Sequence, residues 1–163
     1  VRVTSNLMRT HQTADAIAAQ GYAFGESLVE PDLREQSFGD WQGMTYSDFD
    51  NERDGLVHRY WISPAHERAP NGESFVDLIA RVTPVITRLS AELAGRNIVA
   101  VTHGGTIRAA LAFALGIDPE SALAFAIENH SVTRLDHICS PEGNSWRICF
   151  ANLRPALNLK ARG

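Results

Sequence analysis

The sequence predicts an α/β protein, a three-layer sandwich with a mainly parallel central sheet, helices on both faces and an antiparallel hairpin late in the chain. Three observations predict it. Short apolar runs of strand length alternate with segments whose apolar residues recur at helical spacing, as a parallel sheet with crossover helices requires. One such segment, Ser74 to Leu93, carries an apolar stripe along its whole length. Beyond residue 130 the pattern changes to alternation around a cluster of turn residues, the mark of an antiparallel pair.

Val1 to Thr4 is a short strand, and Thr10 to Gln20 a helix with Ala14, Ile17 and Ala18 on its buried face, stopped by Gly21. Ser27 to Val29 is a second strand. Pro31 to Gly43 mixes two glycines and two aromatics with polar residues, a poor core strand and a good functional loop. Thr45 to Arg53 and Leu56 to Trp61 read as short helices, and Ser63 to Gly72, with two prolines and a glycine, as a surface loop. In the long helix Ser74–Leu93, the residues Phe75, Leu78, Ile79, Val82, Ile86, Leu89 and Leu93 form the stripe, and Pro84 should bend it. A strand at Ile98 to Thr102 precedes a helix from Thr106 to Leu115, with Ile107, Ala110, Leu111 and Ala114 facing inward. Ser131 to Ile138 and Trp146 to Phe150, joined through the turn residues Pro141 to Asn144, make the hairpin.

The bulk properties restrict function. A chain of 163 residues is one domain, 1–163, able to bury roughly 70% of its unfolded surface, and no repeat or low-complexity linker divides it. A net charge of -4 argues against nucleic acid and anionic membrane as partners, so any anion site must be local. No apolar run approaches the roughly 20 residues of a membrane helix. Cys139 and Cys149 are the only cysteines, outside any CxxC pair, which points to free thiols and a cytoplasmic protein. His130, His137 and Cys139 fit no familiar zinc spacing, and no metal or cofactor is expected.

Chemistry concentrates in a few stretches. In VAVTHGGTIRAAL a buried strand runs into His103, then Gly104 and Gly105, then a helix. Glycines there let the backbone approach a ligand, and the free N–H groups of the helix start favour an anion. A histidine adds a donor, and a full charge if protonated. The loop lacks the glycines and Lys-Ser/Thr of a Walker motif, so the site suits a phosphoryl group without implying a nucleoside triphosphate. Arg9, in TSNLMRTHQTA, follows another strand directly and so belongs to the same carboxyl edge, where small ligands of parallel sheets bind. Glu35, in DLREQSFGDWQG, has Phe38 and Trp41 nearby as an apolar wall of the kind that suits an acid catalyst.

TSNLMRTHQTADAI, LREQSFGDWQGMTYSDF, PNGESFVDLIARV and VAVTHGGTIRAAL, in that order, resemble the histidine phosphatase superfamily, also called phosphoglycerate mutase-like. The resemblance spans most of the chain. It implies that Arg9 is a phosphate-binding arginine, Glu35 the proton donor and His103 the second histidine of the catalytic pocket, with Gly104 offering a backbone N–H. Arg9, Glu35 and His103 are thus the catalytic candidates, and Arg9, His103 and Gly104 the substrate-binding ones. Glu73, in NGES, is assigned to the start of the long helix.

The sequence departs from the family at its signature. No Arg-His-Gly triplet, whose histidine is the family's nucleophile, occurs anywhere in it; His11 stands beyond Arg9, where the family has no nucleophile. Several tens of residues are therefore expected before Val1, with a strand ending in Arg-His-Gly, and the chain alone is expected to turn nothing over. The resemblance implies metal-independent hydrolysis of a small phosphate monoester through phosphohistidine. About 28 residues separate Gly43 from Asn71, a short insertion that favours hydrolysis over mutase transfer. A non-catalytic phospholigand-binding protein is the alternative from another class, and a homodimer is left open.

Overall fold

Strands β1 (Arg2–Thr4), β2 (Ser27–Val29) and β3 (Val99–Val101) form a parallel sheet in the order β2-β1-β3, in a computed structural model that describes residues 1–45, 47–48 and 62–154. Thr4 of the central strand lies opposite Val29 on one side and Val101 on the other. Among the described residues the helices whose bounds are fixed are α1 (Met8–Ala19), α2 (Phe75–Glu92), α3 (Gly104–Leu115) and the four-residue α4 (Pro119–Ala122). The hairpin of β4 (Val132–Ser140) and β5 (Gly143–Leu153) is a separate antiparallel sheet. The expected class, α/β with a parallel sheet and a late hairpin, is the one observed.

The main core forms where α2 and α3 pack on the sheet, with Val3, Phe75, Leu78, Val82 and Ala109 each at most 1% exposed. Ala14 of α1 is buried outside that cluster, so the helices flank the sheet on its two faces. The stripe of α2 is as expected, with Val85 added and Ile79 and Ile86 half-buried. The helix continues through Pro84, which sits on its exposed side, where water can meet the carbonyl left without a donor. No helix among the described residues is long and apolar enough to cross a membrane.

Two expected faces are corrected. Ile17 is exposed, and the buried residues of α1 are Thr10 and Ala14. A three-residue strand spans about 10 Å and a 12-residue helix about 18 Å, so the last turns of α1 run beyond the sheet. In α3, Ile107, Ala110 and Ala114 are only half-buried, whereas Gly105, Ala109 and Ala112 are buried with Leu111. Those three small residues, at i, i+4 and i+7, let α2 approach closely. The turn of the hairpin is also tighter than expected, with Ser140 paired to Gly143 across Pro141 and Glu142. The helices expected over Thr45–Arg53 and Leu56–Trp61 lie, apart from residues 45, 47 and 48, outside the described residues, as does His58.

Candidate active site

Because β1 and β3 are parallel neighbours, the residues after them emerge at one carboxyl edge. Arg9 stands in the first turn of α1, and His103 is the N-cap residue of α3. Arg9 Nε donates to His103 Nδ1 at 3.2 Å, joining residues 94 positions apart. His103 is 6% exposed, and its other ring nitrogen, Nε2, lies 2.8 Å from Ser5 Oγ, a hydroxyl on a fully buried residue. An arginine Nε only donates, so Nδ1 accepts and the ring proton is assigned to Nε2, which donates to Ser5. Ser5 Oγ lies 3.2 Å from Thr10 Oγ1, which donates to Leu7 O at 2.8 Å. This chain of bonds fixes the tautomer and orientation of the imidazole.

Burial above all, then the Arg9 and Arg81 guanidinium charges, push the His103 pKa from 6.5 down to about 4. The ring is therefore neutral at pH 7, and the positive charge beside it belongs to Arg9. The unfolded chain takes up a proton here near pH 6.5 and the folded chain only near 4. The stability this residue contributes is thus intact above pH 6.5 and is lost as the pH falls toward 4. Urea unfolding at pH 7 and pH 4.5 should show a larger drop for the wild type than for His103→Gln; equal drops would contradict the assignment.

Glu35 lies between two 3-10 turns, Pro31–Leu33 and Gly39–Trp41. Its Oε1 accepts from Gln36 N–H at 3.0 Å and from Gly105 N–H at 3.1 Å, placing the half-buried carboxylate on the first turn of α3, two residues after His103. A Cβ at residue 105 would lie 2.5 Å from Glu35 Oε1 and 3.2 Å from Leu78 Cδ2, so any other residue there would push the carboxylate away from the helix start. Gly104, the expected N–H donor, is the first residue of α3, a position whose N–H has no acceptor within the helix. Arg9, Glu35, His103 and Gly104 therefore meet at one edge.

Glu73 does not start the long helix. Ser74 is the N-cap and Asp77 completes the capping box, with Asp77 N–H donating to Ser74 Oγ at 3.1 Å and Ser74 N–H to Asp77 Oδ2 at 2.8 Å. Glu73 instead accepts from Arg81, Arg34 and Ser37 N–H, and the paired arginines and N–H hold its carboxyl below the usual value although burial, the largest single influence, acts to raise it. Residues that sequence reasoning passed over complete the surroundings. Ser5 was legible in principle, since it follows β1 immediately and His103 stands two positions beyond the end of β3. Arg108, on the inward face of α3, is 7% exposed and donates to Phe125 O at 2.7 Å; burial lowers its pKa, and Glu35 opposes that effect. A shallow groove extends from Arg9 along α1 past Ile17 to Gln20, with His130 also lining it. Cys139 and Cys149 are free thiols, and among the described residues no three His, Cys, Asp or Glu are grouped to hold a metal.

The sequence profile of the histidine phosphatase superfamily (branch 1) matches residues 1–151. A bifunctional protein of Mycobacterium tuberculosis is 35% identical over 113 residues, 69% of this chain, which spans only 30% of that protein's length. Glucosyl-3-phosphoglycerate phosphatase of Mycobacterium tuberculosis is 35% identical over 160 residues, covering 90% of this chain and 70% of the relative. The solved structure of mycobacterial glucosyl-3-phosphoglycerate phosphatase in complex with inorganic phosphate is 31% identical, with a TM-score of 0.78, covering 94% of this chain and 77% of the other.

Proposed function

Since the chain belongs to the histidine phosphatase superfamily (branch 1), we propose that the protein containing it hydrolyses a small phosphate monoester at the edge where Arg9, His103 and Glu35 meet. One observation carries the reading: Arg9 and His103 are in contact beside a helix start that already holds the Glu35 carboxylate. Arg9 binds the non-bridging phosphoryl oxygens, with Gly104 N–H adding a backbone donor; the bound dianion draws the Arg9 guanidinium off His103 Nδ1 and favours a proton there, so that the ring, neutral in the free protein, becomes a second donor to the charge that grows in the transition state. An imidazole nitrogen attacks phosphorus while the bond to the alcohol oxygen breaks, and protonated Glu35 gives its proton to that oxygen. In the second step Glu35 takes a proton from water, whose oxygen attacks the phosphohistidine and releases phosphate.

His103 is not the attacking group in this scheme, because its Nε2 is held by buried Ser5, and its Nδ1, which Arg9 contacts in the free protein, carries a proton toward the phosphoryl oxygens in the complex. We assign the attack to a histidine of an Arg-His-Gly strand preceding Val1. Among the described residues β3 pairs only with β1, and its other edge, next to His103, offers that strand unpaired backbone groups. Hydrolysis is favoured over mutase transfer by the short stretch between Gly43 and Asn71 and by the match to a phosphatase over 90% of the chain.

The full-length protein is expected to hydrolyse p-nitrophenyl phosphate and to keep its rate in excess chelator. Loss of the rate in chelator would argue for a metal-dependent reaction. Phosphate binding without turnover would select the non-catalytic ligand-binding reading instead.

A further inference from the structure

The loop that carries Glu35 is held from two sides. From α2, the Arg81 side chain, 11% exposed, places Nε 2.8 Å from Glu73 Oε1 and Nη2 2.8 Å from Glu73 Oε2. The same guanidinium donates to three carbonyls of the loop: Nη1 to Asp32 O at 2.7 Å and Arg34 O at 3.2 Å, and Nη2 to Glu35 O at 3.3 Å. These five bonds match the five N–H donors of arginine. From the other side, the segment ending in Glu73 pairs with the loop backbone. Asp40 N–H donates to Pro70 O at 2.9 Å, Glu73 N–H to Ser37 O at 2.8 Å and Ser37 N–H to Glu73 Oε2 at 3.0 Å. Gly39 and Gly72 allow the close approach, since a Cβ on Gly72 would lie 2.6 Å from Ser37 O.

A largely buried ion pair seldom adds net stability, because desolvating both charges offsets their attraction. What this pair does achieve is placement, because one rigid fork, itself clamped by a carboxylate, grips the backbone on both sides of residue 35. We propose that Arg81, fixed by Glu73, is a positioning residue for proton transfer by Glu35, holding its loop so that the carboxylate stays on Gly105 N–H beside His103. This inference rests on the hydrolase reading. Arg81 touches no reacting atom in it; its action passes through the carbonyls of Asp32, Arg34 and Glu35.

The test uses full-length protein with two esters, p-nitrophenyl phosphate, whose leaving group scarcely needs a proton, and glycerol phosphate, whose leaving group does. Glu73→Gln keeps an acceptor for Arg81, and Arg81→Lys keeps a cation for Glu73. Each is expected to lower kcat on glycerol phosphate by about 10- to 100-fold, the scale of an ångström-sized misplacement, with a clearly smaller loss on the nitrophenyl ester and little change in KM. Equal losses on both esters, or none, would overturn the positioning role even where Glu35→Gln is ester-selective, and so would failure of both variants to fold, which would make the pair a structural one. Wild-type protein inactive on both esters would instead overturn the hydrolase reading, and this inference with it.

Discussion

Glu35→Gln in the full-length protein is expected to slow the hydrolysis of alkyl phosphates by about 10² to 10⁴, the usual contribution of general acid–base catalysis, and that of p-nitrophenyl phosphate far less. The selectivity arises from the chemistry of the leaving oxygen. An alkoxide must be protonated as it departs, whereas nitrophenolate is stable enough to leave without help. Gln can still accept the Gly105 and Gln36 N–H bonds through its amide oxygen, so the loop keeps its anchor while the exchangeable proton is gone. Equal losses on the two esters would assign Glu35 to binding and leave the acid unidentified.

His103→Ala should cost about 10² to 10³ in kcat on both esters alike, the range seen when one donor to a developing oxyanion is removed. A group that acts on the phosphoryl oxygens cannot distinguish leaving groups, and this uniformity separates His103 from Glu35. The substitution also leaves buried Ser5 without its donor from the ring and frees Arg9 from the contact that orients it. Inhibition by inorganic phosphate should weaken in parallel. A variant that loses activity on glycerol phosphate alone would contradict this division of roles.

How much of the fold and the site was legible in the sequence depends on which interactions make each feature. β2 appears at the expected residues, and the stripe of α2 is nearly as expected because it is written in large apolar side chains. The faces of α1 and α3 were misplaced because exposure there is decided by tertiary geometry: three-residue strands too short to cover Ile17, and a Gly105–Ala109–Ala112 face whose value lies in being small. Arg9 and His103 could be placed at one edge from the strands before them, since parallel neighbours deliver their succeeding residues to the same side. Arg81 could not, because it stands one position from Val82 in the apolar stripe and reads as an ordinary surface charge until its fork is seen on Glu73 and the loop carbonyls. The role of Glu73 was hidden by its neighbour Ser74, which supplies the capping that Glu73 was expected to provide.

A crystal structure of the full-length protein with vanadate probes the phosphoryl site without intermediaries, since the five-coordinate form of vanadate resembles the transferring phosphoryl group. The expected result is vanadate bound to the nitrogen of an upstream histidine, its oxygens within hydrogen-bond distance of the Arg9 guanidinium and the His103 ring, and Glu35 facing the apical oxygen. Vanadate bound elsewhere, with Arg9 still donating to His103 and the edge between them vacant, would show that these residues do not form the phosphoryl site.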